Sequence, residues 1–188
     1  MKRAIIVVTI GVFPVSMALA DNYTIDPGHT YPSFTINHLG FSTMAGKFDS
    51  TTGAFTYDPA GKSASVEVTI DASSIDTGHD KRDDHLRSPD FLNVAEFPEI
   101  TFKSTNVGWG GEAPSSIDGD LTILGVTQPV SLAVTGVNCG EHPFSKKWTC
   151  GFDANTTVKR SDFGVNYGLP AIGDELTLHF EVEGQKDE

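Results

Sequence analysis

The strongest constraint on the fold is an alternation of apolar and polar residues that runs through most of the chain. In residues 63–71, 117–123 and 175–182, apolar or small side chains occupy every second position and polar or charged ones the positions between. Successive side chains of a β-strand point to opposite faces of the sheet, so a period of two predicts strands with one buried face. The chain is therefore predicted to be all-β and antiparallel.

The strands are predicted to number about eight and to be joined by short turns. Residues 58–61 place proline and glycine where a type I turn takes them, and 108–114 and 125–129 are further turn clusters. This count treats residues 45–57 as one long strand that bulges around Gly53. Eight such strands can close into a barrel with room for side chains or one small ligand, and an open sandwich is the alternative.

One long segment, residues 73–102, interrupts the alternation. Residues 80–86 (DKRDDHL) are too polar for a buried strand, and Ser88-Pro89 would end a helix, so a short polar helix is predicted here. Apolar residues then follow at mixed spacing, and they are predicted to hold an irregular cover against the sheet: Phe91, Leu92, Val94 and Phe97. We therefore expect residues 73–97 to close or gate one end of the barrel, and we call them the lid.

The first 20 residues are typical of a secretory leader. Lys2 and Arg3 precede an apolar run, and Ala18-Leu19-Ala20 is a small-x-small cleavage site. The apolar run is too short to span a bilayer, although a retained membrane anchor is the alternative. Cleavage after residue 20 would leave a single domain, residues 21–188, in the periplasm or secreted.

The charge of the chain excludes some classes of partner. It has 25 acidic and 13 basic residues, for a net charge of −12, and loss of Lys2 and Arg3 with the leader would make it −14. Such a surface repels nucleic acid and anionic membranes. A neutral or apolar ligand fits this surface better than a free polyanion does.

The two cysteines, Cys139 and Cys150, flank a turn-rich segment between two predicted strands. An exported compartment permits disulfides, and a bridge here would close a small hairpin and stabilise the fold by about 3 kcal/mol. The spacing and the neighbouring residues do not favour a metal or redox site.

Four motifs occur in order along the chain. They are residues 23–48 (YTIDPGHTYPSFTINHLGFSTMAGKF), 85–102 (HLRSPDFLNVAEFPEITF), 119–130 (GDLTILGVTQPV) and 159–168 (KRSDFGVNYG). Together they resemble the YceI-like family, from residue 23 to about residue 182. The resemblance implies an exported, lipocalin-like antiparallel β-barrel with a long apolar molecule, such as a polyisoprenoid or an isoprenoid quinone, in its interior. The hairpin that carries the two cysteines does not belong to the family pattern.

The predicted pocket wall consists of residues on the apolar phase of their strands. They are Phe34, Ile36, Val68, Phe102, Leu121, Leu132, Phe152, Leu178 and Phe180. The alternative is that they form an ordinary filled core. A ligand head group would lie at the rim, where polar residues interrupt the pattern, and the candidates are His29, His38, Arg87, Arg160 and Asp162. These residues could instead cap turns or pair with carboxylates.

Catalysis and metal binding are the less favoured hypotheses. The chain has no Gly-x-Ser-x-Gly elbow, and Ser161 and Asp162, adjacent in sequence, would point apart on a strand. The segment 79–85 supplies five donor residues, but HExxH and Cys-x-x-Cys spacings are missing, so a solvated lid helix is the simpler interpretation. The sequence predicts no enzyme activity, no metal and no cofactor, and the bound lipid is the predicted ligand.

The sequence therefore predicts a protein that shelters or carries an apolar chain without stable insertion into a membrane. A homodimer and transient contacts with membrane enzymes are compatible with this prediction. The alternative is a secreted stress-related interaction protein whose barrel is closed and holds no ligand.

Overall fold

The computed structural model describes residues 20–188, and all but the last residue of the predicted leader lies outside this range. The described residues form eleven strands, one α-helix and three single-turn 3₁₀ helices. The strands are β1 (Asp21–Ile25), β2 (Ser33–His38), β3 (Ser42–Phe48), β4 (Thr51–Asp58), β5 (Ser63–Asp71), β6 (Ile75–Asp76), β7 (Glu99–Gly110), β8 (Ala113–Ile123), β9 (Val126–Glu141), β10 (Trp148–Lys159) and β11 (Ile172–Lys186). Helix α1 is Asp80–Arg87, and the 3₁₀ turns are Pro27–His29, Ala72–Ser74 and Arg160–Phe163.

Eight of these strands close into an antiparallel barrel. Their order is β1-β4-β5-β7-β8-β9-β10-β11, and the pairing of β1 with the end of β11 closes the circle, with Ile25 opposite Gly184. The predicted all-β, eight-stranded antiparallel barrel is thus confirmed, and the sheet is not an open sandwich. Two turns are shorter than their glycine- and proline-rich clusters suggested, because β7 extends to Gly110 and β9 begins at Val126.

Three of the barrel strands are interrupted at about the same level, and the short strands β2, β3 and β6 lie beyond these breaks. They continue β1, β4 and β5, respectively. Along β11, the pairing with β1 near residue 184 is followed by the pairing with β2, where Phe34 lies opposite Leu178. In the same way β3 precedes β4 and β6 follows β5. The breaks are bridged by backbone hydrogen bonds, from the Phe48 N–H to the Pro32 carbonyl and from the Asp49 N–H to the Ser74 carbonyl.

The prediction of one bulged strand at residues 45–57 was wrong. Asp49 and Ser50 separate β3 from β4, whereas Gly53 lies within β4, directly opposite Val68 and in uninterrupted register. Asp and Ser favour turns because their side chains bond to nearby backbone. Here the Ser50 N–H donates to the side-chain oxygen of Ser74 at 3.1 Å, so the break leaves this donor satisfied.

The lid contains the predicted polar helix. His79 caps the start of α1, since its Nδ1 accepts a hydrogen bond from the Arg82 N–H, and the helix ends at Arg87 with Ser88, just before Pro89, as its C-cap. Beyond the helix, Phe91, Leu92 and Val94 pack against the core, as predicted, whereas the fourth predicted residue, Phe97, is half-buried beside Gly125 and not packed on the core. No helix of residues 20–188 is long and apolar enough to cross a membrane.

The end of the barrel opposite the lid is filled with aromatic side chains. Tyr23 stacks on Phe55 with ring centroids 4.7 Å apart, and the edge of Phe152 meets Phe55 at 5.0 Å. Tyr57 stacks on Trp109 and also contacts Phe152. Offset and edge-to-face pairs of this kind are favourable beyond the area they bury. This end is therefore closed by its own side chains.

Candidate ligand-binding site

The interior between the aromatic end and the lid contains two cavities. The large cavity, of about 360 Å³, lies under the lid, and the small cavity, of about 70 Å³, lies towards the aromatic end. Four residues line both cavities and so separate them: Pro32, Ile70, Leu121 and Phe180. The volume of the large cavity falls within the range of roughly 300–1,000 Å³ that is typical of small-molecule sites.

The structure places all nine predicted wall residues on these two cavities. Phe34, Ile36 and Leu178 line the large cavity, and Leu121 and Phe180 line both. The remaining four line the small cavity: Val68, Phe102, Leu132 and Phe152. Their contact with a ligand stays a prediction.

The walls follow directly from the strand register. Val68 lies opposite Phe102, and Phe102 lies opposite Leu121, so one row of the sheet puts three predicted wall residues side by side. Glycine makes room for the bulky rings, because a Cβ added to Gly119 would stand 2.5 Å from the Phe102 ring and one at Gly46 would stand 2.6 Å from the Phe34 ring. The aromatic walls therefore depend on small residues in the neighbouring strands.

Polar side chains reach the large cavity near the lid and near residues 160–172. They include two of the predicted rim residues, His38 and Arg160, and four that the sequence prediction did not assign to the site: Thr77, Arg82, His85 and Tyr167. His85 and Tyr167 are about half exposed, so the cavity wall reaches the surface where they meet. We call this place the mouth.

His85, Phe91 and Tyr167 form an aromatic contact between the lid and the loop before β11. The three ring centroids are each 5.1 Å apart. Nε2 of His85 also lies 2.9 Å from a carboxylate oxygen of Asp90. These contacts link the lid to the loop before β11 through partly exposed side chains.

Arg82 and Asp83 form a polar cluster with Thr77 beside the cavity. The Arg82 guanidinium donates to the Thr77 hydroxyl at 2.7 Å and to the Thr77 carbonyl at 2.6 Å. The buried carboxylate of Asp83 accepts from the N–H and the hydroxyl of the same threonine. Helical spacing in the sequence could have identified the cavity-lining residues of α1, since Arg82, His85 and Leu86 are spaced i, i+3 and i+4 and share a face of the helix.

Arg160 is a structural centre as well as a cavity residue. It is only 3% exposed, and its guanidinium donates to the carbonyls of Gly173 at 2.8 Å, Val165 at 2.8 Å and Ile172 at 3.3 Å. Burial lowers the pKa of Arg160 below its ordinary value. The guanidinium thereby holds the loop 161–171 against the start of β11.

The other predicted rim residues lie away from both cavities. His29 is exposed, and its hydrogen bond with Asp26 raises the pKa of the histidine. Arg87 donates to the carbonyls of Ser73 and Ile75 and so fastens α1 to the strand beneath it. Asp162 is exposed on the 3₁₀ turn, and its main-chain carbonyl accepts from Gln128.

Four of the five donor residues of segment 79–85 have separate partners, and the fifth, Asp80, is exposed at the start of α1. His79 caps α1, Asp83 binds Thr77, Asp84 pairs with Arg87 at 3.2 Å, and His85 faces the aromatic contact. Within residues 20–188, no group of three or more His, Cys, Asp or Glu side chains is placed to hold a metal ion. Ser161 is likewise engaged, because its N–H and hydroxyl both donate to Asp174, which lowers the pKa of that carboxyl.

The predicted disulfide is confirmed. Cys139 and Cys150 are bonded and lie directly opposite one another in the β9–β10 pair. Cys150 is fully buried at the end of the barrel away from the mouth. The bridge therefore braces the β9–β10 hairpin without lining either cavity.

Comparison with known proteins gives one consistent picture. Residues 23–184 match the family model of the YceI-like domain. Protein YceI of Escherichia coli O6:H1 is 40% identical, with 98% of each chain covered. The crystal structure of the Campylobacter jejuni YCEI protein is 30% identical with a TM-score of 0.70, covering 81% of this chain and 90% of that one.

A polyisoprenoid binding domain from Saccharophagus degradans has the same fold. Its TM-score is 0.64 at 16% identity, over 88% of this chain and 98% of that one. At this identity the likeness concerns the fold alone.

Proposed function

Because the chain belongs to the YceI-like family, we propose that it is a non-catalytic binding protein that holds a long apolar ligand in the barrel interior. The ligand class is a polyisoprenoid or an isoprenoid quinone. The observation that carries the proposal is the large cavity of about 360 Å³, whose walls are mostly apolar and whose polar lining side chains lie mainly near the lid and residues 160–172.

Binding of such a ligand needs shape and exclusion of water rather than special chemistry. Each buried CH₂ group contributes about 0.8 kcal/mol, so a few five-carbon units support micromolar affinity once the cost of association is subtracted. The tail would lie along Phe34, Leu178 and Phe180, which face the cavity from neighbouring strands. A head group would lie at the mouth, near Arg82 and His85.

The cavity favours a ligand carrier over an interaction protein with a closed barrel. A barrel filled by its own side chains would leave no space of this size under the lid. The polyisoprenoid-binding domain of the same fold adds support for the ligand class. Storage or carriage of lipid is the resulting role.

We further propose that the protein works in the periplasm or outside the cell. The predicted leader at residues 1–20 and the disulfide both suit an exported, oxidising compartment. Membrane enzymes that make or use isoprenoid lipids are then the candidate donors and acceptors.

Native mass spectrometry of the mature protein, before and after extraction with organic solvent, tests the proposal. We expect a co-purifying isoprenoid lipid at near one-to-one stoichiometry. Leu178→Trp should place a bulky ring where the tail would lie, narrow the large cavity and remove most of this lipid, whereas Thr177→Trp, on the outer face of the same strand, should retain it. Absence of any apolar species, together with no uptake of a fluorescent polyprenyl probe, would refute the proposal.

A further inference from the structure

The turn between β2 and β3 exposes two large apolar side chains. Phe41 is 88% exposed and Leu39 is 47% exposed, on either side of Gly40. Single exposed apolar residues are ordinary, but two of them at the tip of one hairpin form a feature that water does not favour. We call residues 39–41 the apolar tip.

The backbone of the apolar tip is also unusual. Leu39 has a φ of 57° and Gly40 a φ of 75°, so both adopt the left-handed conformation. Asn or Gly usually fills the first of these positions, because a branched apolar residue is strained there. The Asn37 side chain accepts from the Gly40 N–H at 2.8 Å and fixes the turn. The fold thus holds an apolar side chain in water at a position where a polar residue would be more stable.

The apolar tip continues the surface of the mouth. Its neighbour His38 lines the large cavity and pairs with Ile172 on β11. The Ile172 N–H donates to the carbonyl of Gly168, directly after Tyr167, which is itself 47% exposed. The apolar tip and Tyr167 therefore lie on neighbouring segments at the same side of the mouth.

The two chain segments on this side of the mouth carry no formally charged residue. Residues 27–46 and 163–173 contain no Asp, Glu, Lys or Arg, although one residue in five of the chain is charged. The other side is the charged helix α1, where Asp80, Lys81 and Asp84 are exposed. The mouth thus has one uncharged apolar side and one polar side.

We propose that the apolar tip and Tyr167 dock on a lipid bilayer and place the mouth against its acyl chains. The inference rests on the proposed function, because the ligand is a membrane lipid whose exposure to water is unfavourable in proportion to its apolar area. With the tip in the interface and α1 in water, the ligand can move between bilayer and cavity without crossing the solvent. Such contact is peripheral and reversible.

A bilayer fits the apolar tip better than a second copy of the chain does. A stable protein interface needs roughly 800 Å² from each partner, and one aromatic side chain buries only about 150–250 Å². Three partly exposed side chains do not reach that area. The acidic chain and the uncharged tip also predict binding without a requirement for anionic lipid.

The test is co-sedimentation of the mature protein with phosphatidylcholine vesicles, with and without phosphatidylglycerol. Phe41→Ser should lower the partition coefficient by about tenfold, since one large apolar side chain no longer enters the interface. Phe144→Ser is the matched control, because Phe144 is 89% exposed on the β9–β10 hairpin at the opposite end. It should bind vesicles like the unsubstituted protein.

Leu39→Asn separates docking from folding. Asparagine suits the left-handed turn, so the variant should be at least as stable as the unsubstituted protein, yet bind vesicles more weakly and transfer polyprenyl lipid between vesicles more slowly. Bound-lipid content should not change, since neither Leu39 nor Phe41 lines a cavity.

Three outcomes would overturn the inference while leaving the proposed function intact: lipid-loaded protein that does not bind vesicles, equal binding by Phe41→Ser, or a dimer in solution that this substitution separates. Vesicle binding that depends on Phe41, in a protein that holds no lipid and takes up no polyprenyl probe, would support docking and refute the carrier function instead.

Discussion

Replacement of Arg160 tests whether this residue maintains the fold or binds the ligand head group. It was predicted as a rim residue, and it does line the large cavity, but its guanidinium is committed to three backbone carbonyls. If those bonds are its main role, Arg160→Met should destabilise the protein strongly. Arg160→Lys should destabilise it too, because a single ammonium cannot reproduce the guanidinium geometry.

The expected magnitude follows from the two shorter bonds, to Gly173 and Val165, at 2.8 Å each. Hydrogen bonds from charged groups contribute about 1.5–3 kcal/mol apiece, so the loss for Arg160→Met should be about 3–6 kcal/mol. In a domain of this size each kcal/mol lowers Tm by roughly 2–4 °C, which gives a decrease of roughly 6–24 °C.

Thermal unfolding followed by circular dichroism measures this change, and Lys159→Met is the matched control, since Lys159 is the exposed neighbour. The control should change Tm by no more than about 1–2 °C, because exposed substitutions usually cost within about 0.5 kcal/mol. An Arg160→Met variant with an unchanged Tm that has lost its bound lipid would refute the structural argument. It would assign Arg160 to the head group instead.

Two further predictions concern the disulfide and one carboxylate. Cys139→Ser combined with Cys150→Ala should lower the free energy of unfolding by about 3 kcal/mol in urea denaturation, because the bridge no longer restricts the unfolded chain. Lipid content should not change, since neither cysteine lines a cavity. Asp174→Asn should destabilise the protein at neutral pH, because Ser161 donates twice to this carboxylate and lowers its pKa below the ordinary 3.8. A lowered folded-state pKa means that this contribution is present above the ordinary value and is lost as the pH falls through the folded value, so variant and unsubstituted protein should converge in acid.

One result would contradict each of these two predictions. Loss of lipid from a folded, disulfide-free variant would mean that the β9–β10 hairpin shapes the cavity from a distance. A stability difference for Asp174→Asn that persists in strong acid would show that the charge of this carboxylate is not what stabilises the loop.

The cavity walls were predictable because side-chain direction in a strand depends only on position. Once Val68 and Phe102 were assigned to the apolar phase of their strands, their place in the interior followed from the period of two. The lid helix was predictable for a related reason, since a run as polar as residues 80–86 cannot be a buried strand.

The breaks and the polar lining were not predictable from local pattern. Asp49 and Ser50 interrupt an otherwise strand-like run, and only the pairing partners on either side reveal that β3 and β4 are separate. Arg160 lies between Lys159 and Ser161, so nothing local indicates that it is buried. Arg82 reaches the cavity because the helix is placed over it, which depends on tertiary packing rather than on the composition of the helix.

Because β2, β3 and β6 are separated from the barrel strands by the breaks, this part of the sheet should open locally at a lower free-energy cost than the long strands do. Strands β8, β9 and β10 are paired on both sides over long stretches, whereas β3 pairs with β2 on one side and with only two residues of β6 on the other. Amide hydrogen exchange should therefore be fastest in the β2–β3 hairpin and slowest in the long strands. Opening confined to this hairpin would widen the cavity at a free-energy cost well below that of global unfolding.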